Sequence, residues 1–299
     1  MNETGSSAKQ FNIALLQQQL RTLSFAIGNR LVYVPIVGST NILAMQLARA
    51  GSEEGLLVLT DSQTAGKGRY GRRWVDVYGC NVLSSLLLRP LFPLYLLVMI
   101  ASLAVIEAIQ EVGGEQGITA TIKWPNDVLI GSRKVAGILV ETSHDRSGQL
   151  VAIVGIGVNV NGRLTPEQEV APEMVALTAT ATTLETVYGQ QISREIFLAA
   201  LLRHIEAYYL ALQQEARTSS LSNSIAGTEP ISRSVREKWR SYLSTLDRTI
   251  QVRQGDTVLE GIAEDVNETG ELLLRLRSGE HISISWGDIG YPTEKLMEL

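Results

Sequence analysis

Two apolar runs, Lys134–Thr142 and Leu150–Val160, flank the polar, glycine-containing segment His144-Asp145-Arg146-Ser147-Gly148. A connection this short turns the chain straight back, so the two strands must pair antiparallel; a parallel pair needs a crossover of about a dozen residues or more. The fold class is therefore α+β, and a doubly wound parallel sheet is excluded. The remaining pattern fits that frame. Residues 11–30 hold one short helix, and Leu31–Val37 reads as a β-branched, buried strand ending at Gly38-Ser39-Thr40, which would cap a helix running to about Ala50. Further strands are expected at Leu56–Gln63, Asn81–Leu88 and Ala120–Ile130, with a long helix from about Leu94 to Val112 between the last two. Helical spacing returns at Thr183–Tyr188, Ser193–Gln214 and Val235–Leu246, while Ala216–Ser232, rich in Ser, Gly, Asn and Thr, reads as an exposed loop. After it come four short alternating strands, Thr249–Arg253, Val258–Val266, Leu272–Arg277 and His281–Ile289, expected to form a small all-β barrel. At 299 residues the chain exceeds one ordinary domain, and it divides into a helical extension 1–30, a main domain 31–246 and a C-terminal domain 247–299.

Composition removes several function classes. Apolar residues at 45% and charged residues at 19% are those of a globular protein with a core, not of a disordered chain. The net charge of -5 makes the molecule as a whole no trap for nucleic acid, and the space before Leu31 does not fit the three helices of a helix-turn-helix module, so no DNA partner is expected. Cys80 is the single cysteine, and His144, His204 and His281 are scattered, which gives neither a disulfide nor a metal-ligand spacing and suits a reducing, cytoplasmic setting. The uncharged stretch between Arg89 and Glu107 is interrupted by Pro90, Pro93 and Ser102 and reads as a core helix, so no membrane association is expected.

Four segments could carry chemistry. In Gly66-Lys67-Gly68-Arg69-Tyr70-Gly71-Arg72-Arg73-Trp74, glycines alternate with cations just after an expected strand; backbone N–H groups could approach an anion there while the cations supply charge. The spacing is neither a Walker A loop nor a dinucleotide fingerprint, and a solvated basic turn has the same composition. Lys123-Trp124-Pro125-Asn126-Asp127 breaks an apolar strand run with a residue that cannot donate to the ladder; it is either an edge bulge with an Asn-Asp turn or a place where Asp127 offers hard oxygen to Mg²⁺ or orients a nucleophile while Asn126 reads a nucleobase edge. Lys134 opens the strand Lys134-Val135-Ala136-Gly137-Ile138-Leu139-Val140-Glu141 and could be a snorkelling surface lysine or a buried functional one. Gly155 and Gly157 in Gly155-Ile156-Gly157-Val158-Asn159 signal either a bulge or the close approach of another group.

Together and in this order, these segments resemble the biotin protein ligases, from about Leu31 to Ile289. The resemblance implies a catalytic domain with a mixed sheet, like that of class II aminoacyl-tRNA synthetases, followed by an SH3-like barrel. It also implies an ATP-dependent biotin–[acetyl-CoA-carboxylase] ligase that makes biotinyl-5′-AMP and passes biotin to a lysine of a biotin carrier domain, of the monofunctional type; it leaves homodimer formation open. Carried over residue by residue, Ser39, Thr40, Asn41 and Gln63 would surround biotin's ureido ring, with Gly137, Gly155 and Gly157 lining the slot. Lys67, Gly68 and Arg69 would close over the carboxylate and the adenylate, and Arg72 would lie near the ATP phosphates. Lys134 would stand between carboxylate and α-phosphate; Trp74, Asn126 and Asn159 would take adenine, and Asp127 would hold Mg²⁺ or assist the incoming lysine. Ligand-free, the loop 66–73 is expected to lack one fixed conformation. Two departures stand out: Lys67 and Tyr70 occupy positions where the family commonly has Arg, and Asp247 follows Leu246 where a glycine is common. The rivals are a lipoate–protein ligase, whose usual Arg-Arg-x-Ser-Gly-Gly signature is absent, and a non-catalytic biotin-binding regulator.

Overall fold

The computed structural model describes residues 10–162, 180–221 and 230–292. Its N-terminal helix α1 (Ile13–Gln19) is capped by Asn12, whose side chain accepts from Leu15 N–H at 3.0 Å. Strand β1 (Leu31–Tyr33) stops short because Pro35 cannot continue the ladder, and the chain resumes as β2 (Ile36–Val37) before α2 (Thr40–Arg49). The next run also splits, into β3 (Leu57–Thr60) and β4 (Ser62–Gln63), around the fully buried Asp61. Both splits differ from the single strands expected. β1 is a half-buried edge strand, and β2 and β4 form a separate parallel pair.

Strand β5 (Val82–Leu88) leads to the 19-residue helix α3 (Tyr95–Gly113). By length and composition α3 could span a membrane, but its residues from Leu96 to Ile109 are mostly buried within this fold, as a core helix requires. Ala120–Ile130 is not one interrupted strand but a hairpin, β6 (Ala120–Lys123) and β7 (Asp127–Ile130), with Trp124-Pro125-Asn126 as the turn and the Trp124–Pro125 peptide cis. The anticipated second hairpin follows as β8 (Arg133–His144) and β9 (Leu150–Val158). The sheet order is β1-β3-β5-β9-β8-β7-β6, with only β1 and β3 parallel.

Helices α4 (Leu184–Tyr188), α5 (Arg194–Leu221) and α6 (Ile231–Ser241) complete this part, and α3 packs against α5 and α6. The loop expected over Ala216–Ser232 begins later than its composition suggested, because α5 runs on to Leu221; residues 222–229 of it lie outside the described residues. The N-terminal residues are packed into the same core: Phe11, Leu16 and Phe25 are buried, and Glu206 on α5 accepts from the backbone N–H groups of Leu23, Ser24 and Phe25. Arg194, 5% exposed, donates to Asp61 at 2.9 Å, so the charge buried at the β3–β4 break has a charged partner.

The C-terminal strands β10 (Arg248–Gln254), β11 (Thr257–Val266), β12 (Leu272–Leu276), β13 (His281–Ile284) and β14 (Asp288–Gly290) form an antiparallel sheet in the order β13-β12-β11-β10-β14. His281–Ile289 thus breaks at Ser285-Trp286-Gly287, which lets β14 cross to the far edge against β10. At its entry Asp247 takes the left-handed conformation, φ +58°, that a glycine would adopt more easily, so the turn survives the departure. Ile250, Val252, Leu272 and Leu274 belong to the same buried cluster as Met99 and Trp239, so one core runs through both parts.

Candidate active site

The first turn of α2 is built from polar residues that are nonetheless buried: Ser39, Thr40 and Asn41 are each under 5% exposed. They stay there because neighbouring elements satisfy them. Gln63 on β4 accepts from Thr40 N–H at 2.9 Å, Ser85 on β5 lies 2.7 Å from the Thr40 hydroxyl and 2.6 Å from Asn41 Oδ1, and Asn41 Nδ2 donates to Glu141 on β8 at 2.8 Å. Opposite them, the pairing of β8 and β9 sets Gly137 against Gly157 and Leu139 against Gly155. These two sides flank a slot that Lys67 and Trp74 also line. The glycines are needed for close approach: a Cβ on Gly155 would stand 2.2 Å from Asn41 Oδ1, and one on Gly157 would stand 2.7 Å from Trp74 Cε2 and Cζ2.

Trp74 is the partition between this slot and a second pocket, which is lined on its far side by Asn81, Asn159, Asn161 and Thr183. Lys134 lies at the boundary. Its ammonium is 2.6 Å from Asp127 Oδ1 and 5.4 Å from the Trp74 ring centroid, and a Cβ on Gly137 would come within 2.9 Å of it. Two buried polar atoms here have no protein partner, Trp74 Nε1 and Asp76 Oδ2. Burial pushes the Asp76 carboxyl above its ordinary value against the lowering effect of hydrogen bonds from Ser62 and Gln63 N–H. Burial likewise holds the Lys123 ammonium below its ordinary value, with nearby Lys134 and Arg72 acting in the same direction and Asp127 opposing.

The structure therefore gathers Ser39, Thr40, Asn41, Gln63, Lys67, Gly137, Gly155 and Gly157 around one slot, and Trp74, Lys134 and Asn159 around the adjoining pocket. Other candidates stand elsewhere. Asn126 turns both ends of its amide inward, donating to Ile138 O at 2.6 Å and accepting from Arg69 at 2.9 Å, so in this state it positions Arg69. Arg72 pairs with Asp288 of β14, and Gly68 N–H closes the loop onto Arg72 O at 2.7 Å. Among the described residues no three His, Cys, Asp or Glu side chains gather to hold a metal, and the Asp127 carboxylate already faces an ammonium. This donor set does not fit a resident Mg²⁺.

Ser84, Ser85, Glu141 and Asp76 also line or brace these pockets and were not singled out from the sequence. A signal for the serines was present: two adjacent hydroxyls inside the apolar run Val82–Leu88 need hydrogen-bond partners.

The sequence profile of the Biotin/lipoate A/B protein ligase family matches residues 33–161, and that of the Biotin protein ligase C terminal domain matches 245–289. A biotin–[acetyl-CoA-carboxylase] ligase of Paracoccus denitrificans is 34% identical over 250 residues, 82% of this chain and 93% of that one. The bifunctional ligase/repressor BirA of Bacillus subtilis is 33% identical over 256 residues, 85% of this chain and 71% of that protein. Among solved structures, biotin protein ligase from Aquifex aeolicus in complex with biotin and ATP superposes with a TM-score of 0.68 at 27% identity, covering 87% of this chain and 97% of that one. With two profiles in the expected order and relatives aligned along most of their length, the chain belongs to the biotin protein ligase family.

Proposed function

We propose that the protein condenses biotin with ATP to biotinyl-5′-AMP and pyrophosphate, then transfers the biotinyl group to a lysine of a biotin carrier domain in a biotin-dependent carboxylase such as acetyl-CoA carboxylase. The observation that carries this reading is the pair of pockets on either side of Trp74, with Lys134 at their boundary. The slot offers Thr40, Asn41, Ser84 and Gln63 to a small neutral ring with N–H and C=O edges, and Lys67 near its mouth offers a cation to a carboxylate. The neighbouring pocket offers an aromatic wall and amides to a purine.

In the first step a biotin carboxylate oxygen forms a bond to the α-phosphorus, and the bond from that phosphorus to the bridging oxygen breaks, its electron pair leaving with pyrophosphate. The difficulty is electrostatic, since an anion must approach a polyanion. Lys67 and Lys134 offset the repulsion, and Lys134 can swing from Asp127 to the phosphoryl oxygen on which charge builds. In the second step the carrier lysine, as the neutral amine, attacks the acyl carbon and AMP departs; Asp127, freed as Lys134 moves, is placed to accept the amine's proton. Mg²⁺ enters with the nucleotide as part of the substrate. A cytoplasmic setting belongs to the same proposal, supported by Cys80 being the single cysteine, which allows no intramolecular disulfide.

The test is incubation with biotin, MgATP and a carrier domain, read by mass, with biotin-dependent pyrophosphate exchange as the first-step readout. Lipoate competing better than biotin would favour the lipoate branch of the family, which the match to a biotin-ligase C-terminal domain disfavours. Biotin binding without exchange would favour a non-catalytic regulator.

A further inference from the structure

The loop that carries Lys67, Arg69 and Arg72 holds itself only in part, through Gly68 N–H to Arg72 O, Arg72 N–H to Arg69 O and Trp74 N–H to Gly66 O. Its glycines leave the backbone free and its cations repel one another, so a single conformation needs partners from outside. They come from the turn between β13 and β14. Tyr70 and Trp286 meet with ring centroids 5.5 Å apart, and Gly287 N–H donates to the Tyr70 hydroxyl at 3.2 Å. Arg69 donates to the same hydroxyl and, at 3.4 Å, to Gly287 O, while Arg72 pairs with Asp288. The turn is packed against β10 on its own side: a Cβ at Gly287 would meet Val252 Cγ1 at 2.5 Å, and Trp286 O accepts from Gln254 Nε2 at 2.6 Å. Tyr70 sits at φ 54°, ψ 38°, a conformation a bulky side chain keeps only when its surroundings impose it. Both rings are otherwise exposed, Tyr70 by 51% and Trp286 by 43%, so their contact with each other accounts for their place on the surface.

We propose that the β13–β14 turn is the fixed half of the hold on this loop, and that Tyr70 and Trp286 are positioning residues that keep Arg69 against Asn126 at the edge of the site. This rests on the reading that the loop covers a bound acyl-adenylate. The tyrosine that departs from the family pattern thereby acquires a physical role, since it replaces a cation with a ring and a hydroxyl that dock on the C-terminal sheet.

The experiment uses the full chain with Tyr70→Ala, Trp286→Ala, the double variant and Tyr70→Phe. Two readouts are taken: the rate of tryptic cleavage within 67–73 in the ligand-free protein, and the rate at which preformed biotinyl-5′-AMP leaves the enzyme. Each alanine variant should speed both by about 2- to 10-fold, the range an aromatic pair of this kind contributes, and the double variant by no more than Tyr70→Ala alone. Tyr70→Phe, which keeps the ring and loses the hydroxyl, should fall between. Unchanged cleavage in the single variants, or additive effects in the double, overturns the proposal. Should Trp286→Ala fail to fold, Tyr70→Ala and Asp288→Asn carry the same comparison. A wild-type protein that forms no adenylate sinks the functional reading and leaves the ligand-free cleavage result standing on its own.

Discussion

Replacing Gly157 by alanine puts the two-pocket arrangement under direct load. The added methyl would lie 2.7 Å from Cε2 and Cζ2 of Trp74, where ordinary contacts are 3.4–4 Å, so the ring must move by about 1 Å. The same ring also lies close over Gly137, the register partner of Gly157 on β8, with Trp74 Cζ3 3.0 Å from where a Cβ would stand. The indole lies over both strands and lines both pockets, so a shift that relieves the clash disturbs the pockets it separates. Overpacking of this kind costs about 1–3 kcal/mol of stability, and the tilt should raise KM for biotin or ATP by about tenfold at an equivalent energy of ~1.4 kcal/mol. Denaturant unfolding followed by far-UV circular dichroism measures the first quantity, and pyrophosphate exchange with each substrate varied in turn measures the second. Combining Gly157→Ala with Trp74→Phe should restore most of the lost stability, since the smaller ring clears the methyl. A Gly157→Ala protein as stable as wild type, with both KM values unchanged, would refute the claim that this glycine exists to seat Trp74.

Lys134→Ala should slow adenylate formation by about 10²–10³-fold, the usual loss when one charge partner of a transition state is removed, whereas Asp127→Asn should slow transfer from preformed biotinyl-5′-AMP more than adenylation; equal effects of Asp127→Asn on both steps would contradict its separate place in the second. Glu141→Gln removes a carboxylate that stands 3.5 Å from Lys67 and competes with biotin's own, so calorimetry should find biotin bound tighter by up to about fivefold, within the ~1 kcal/mol of a partly exposed pair; weaker binding would count against the exchange. For Asp76, burial raises the folded-state carboxyl pKa, so between the ordinary and the raised value the folded protein holds a proton the unfolded chain has lost, and stability falls as pH rises through that window. Asp76→Asn should therefore gain stability over wild type at neutral pH, and that gain should shrink on acidification through the carboxylate range; a gain independent of pH would be inconsistent with a charge penalty.

Much of the site was legible because its requirements are local. Ser39-Thr40-Asn41 announces a helix start, and two glycines one residue apart in a strand announce a close approach on one face, even though the approaching group proved to be Trp74 and Asn41 of the protein itself. Lys123-Trp124-Pro125-Asn126-Asp127 was legible as an interruption but not as a hairpin turn: apolar residues on both sides of it face the same core, and periodicity alone does not tell one bent strand from two paired ones. What sequence could not supply were contacts between distant segments. Arg72 meets Asp288 across 216 residues, and Trp124 Nε1 donates to Gly270 O across 146; neither partner carries a pattern of its own. The same holds for Glu141, whose role depends on β8 lying beside α2, a consequence of sheet order.

The cations of the site share a property that bears on how it works. Lys67 faces Glu141, Lys134 faces Asp127, Arg72 faces Asp288, and Arg69 is held by Asn126 and Tyr70. In each ion pair the partner is a carboxylate, the same kind of group that substrate binding will bring. Substrate anions must therefore exchange with internal acceptors and do not simply neutralise bare charges, which lowers the binding energy available to any stray anion. The pairing also keeps each cation in place before the reaction, so little reorganisation remains when the α-phosphate accumulates charge. For Lys134 the distinction is sharpest. Asp127 competes with the phosphate oxygen for this ammonium, so the exchange is favoured more as that oxygen gains charge, which weights the interaction toward the transition state.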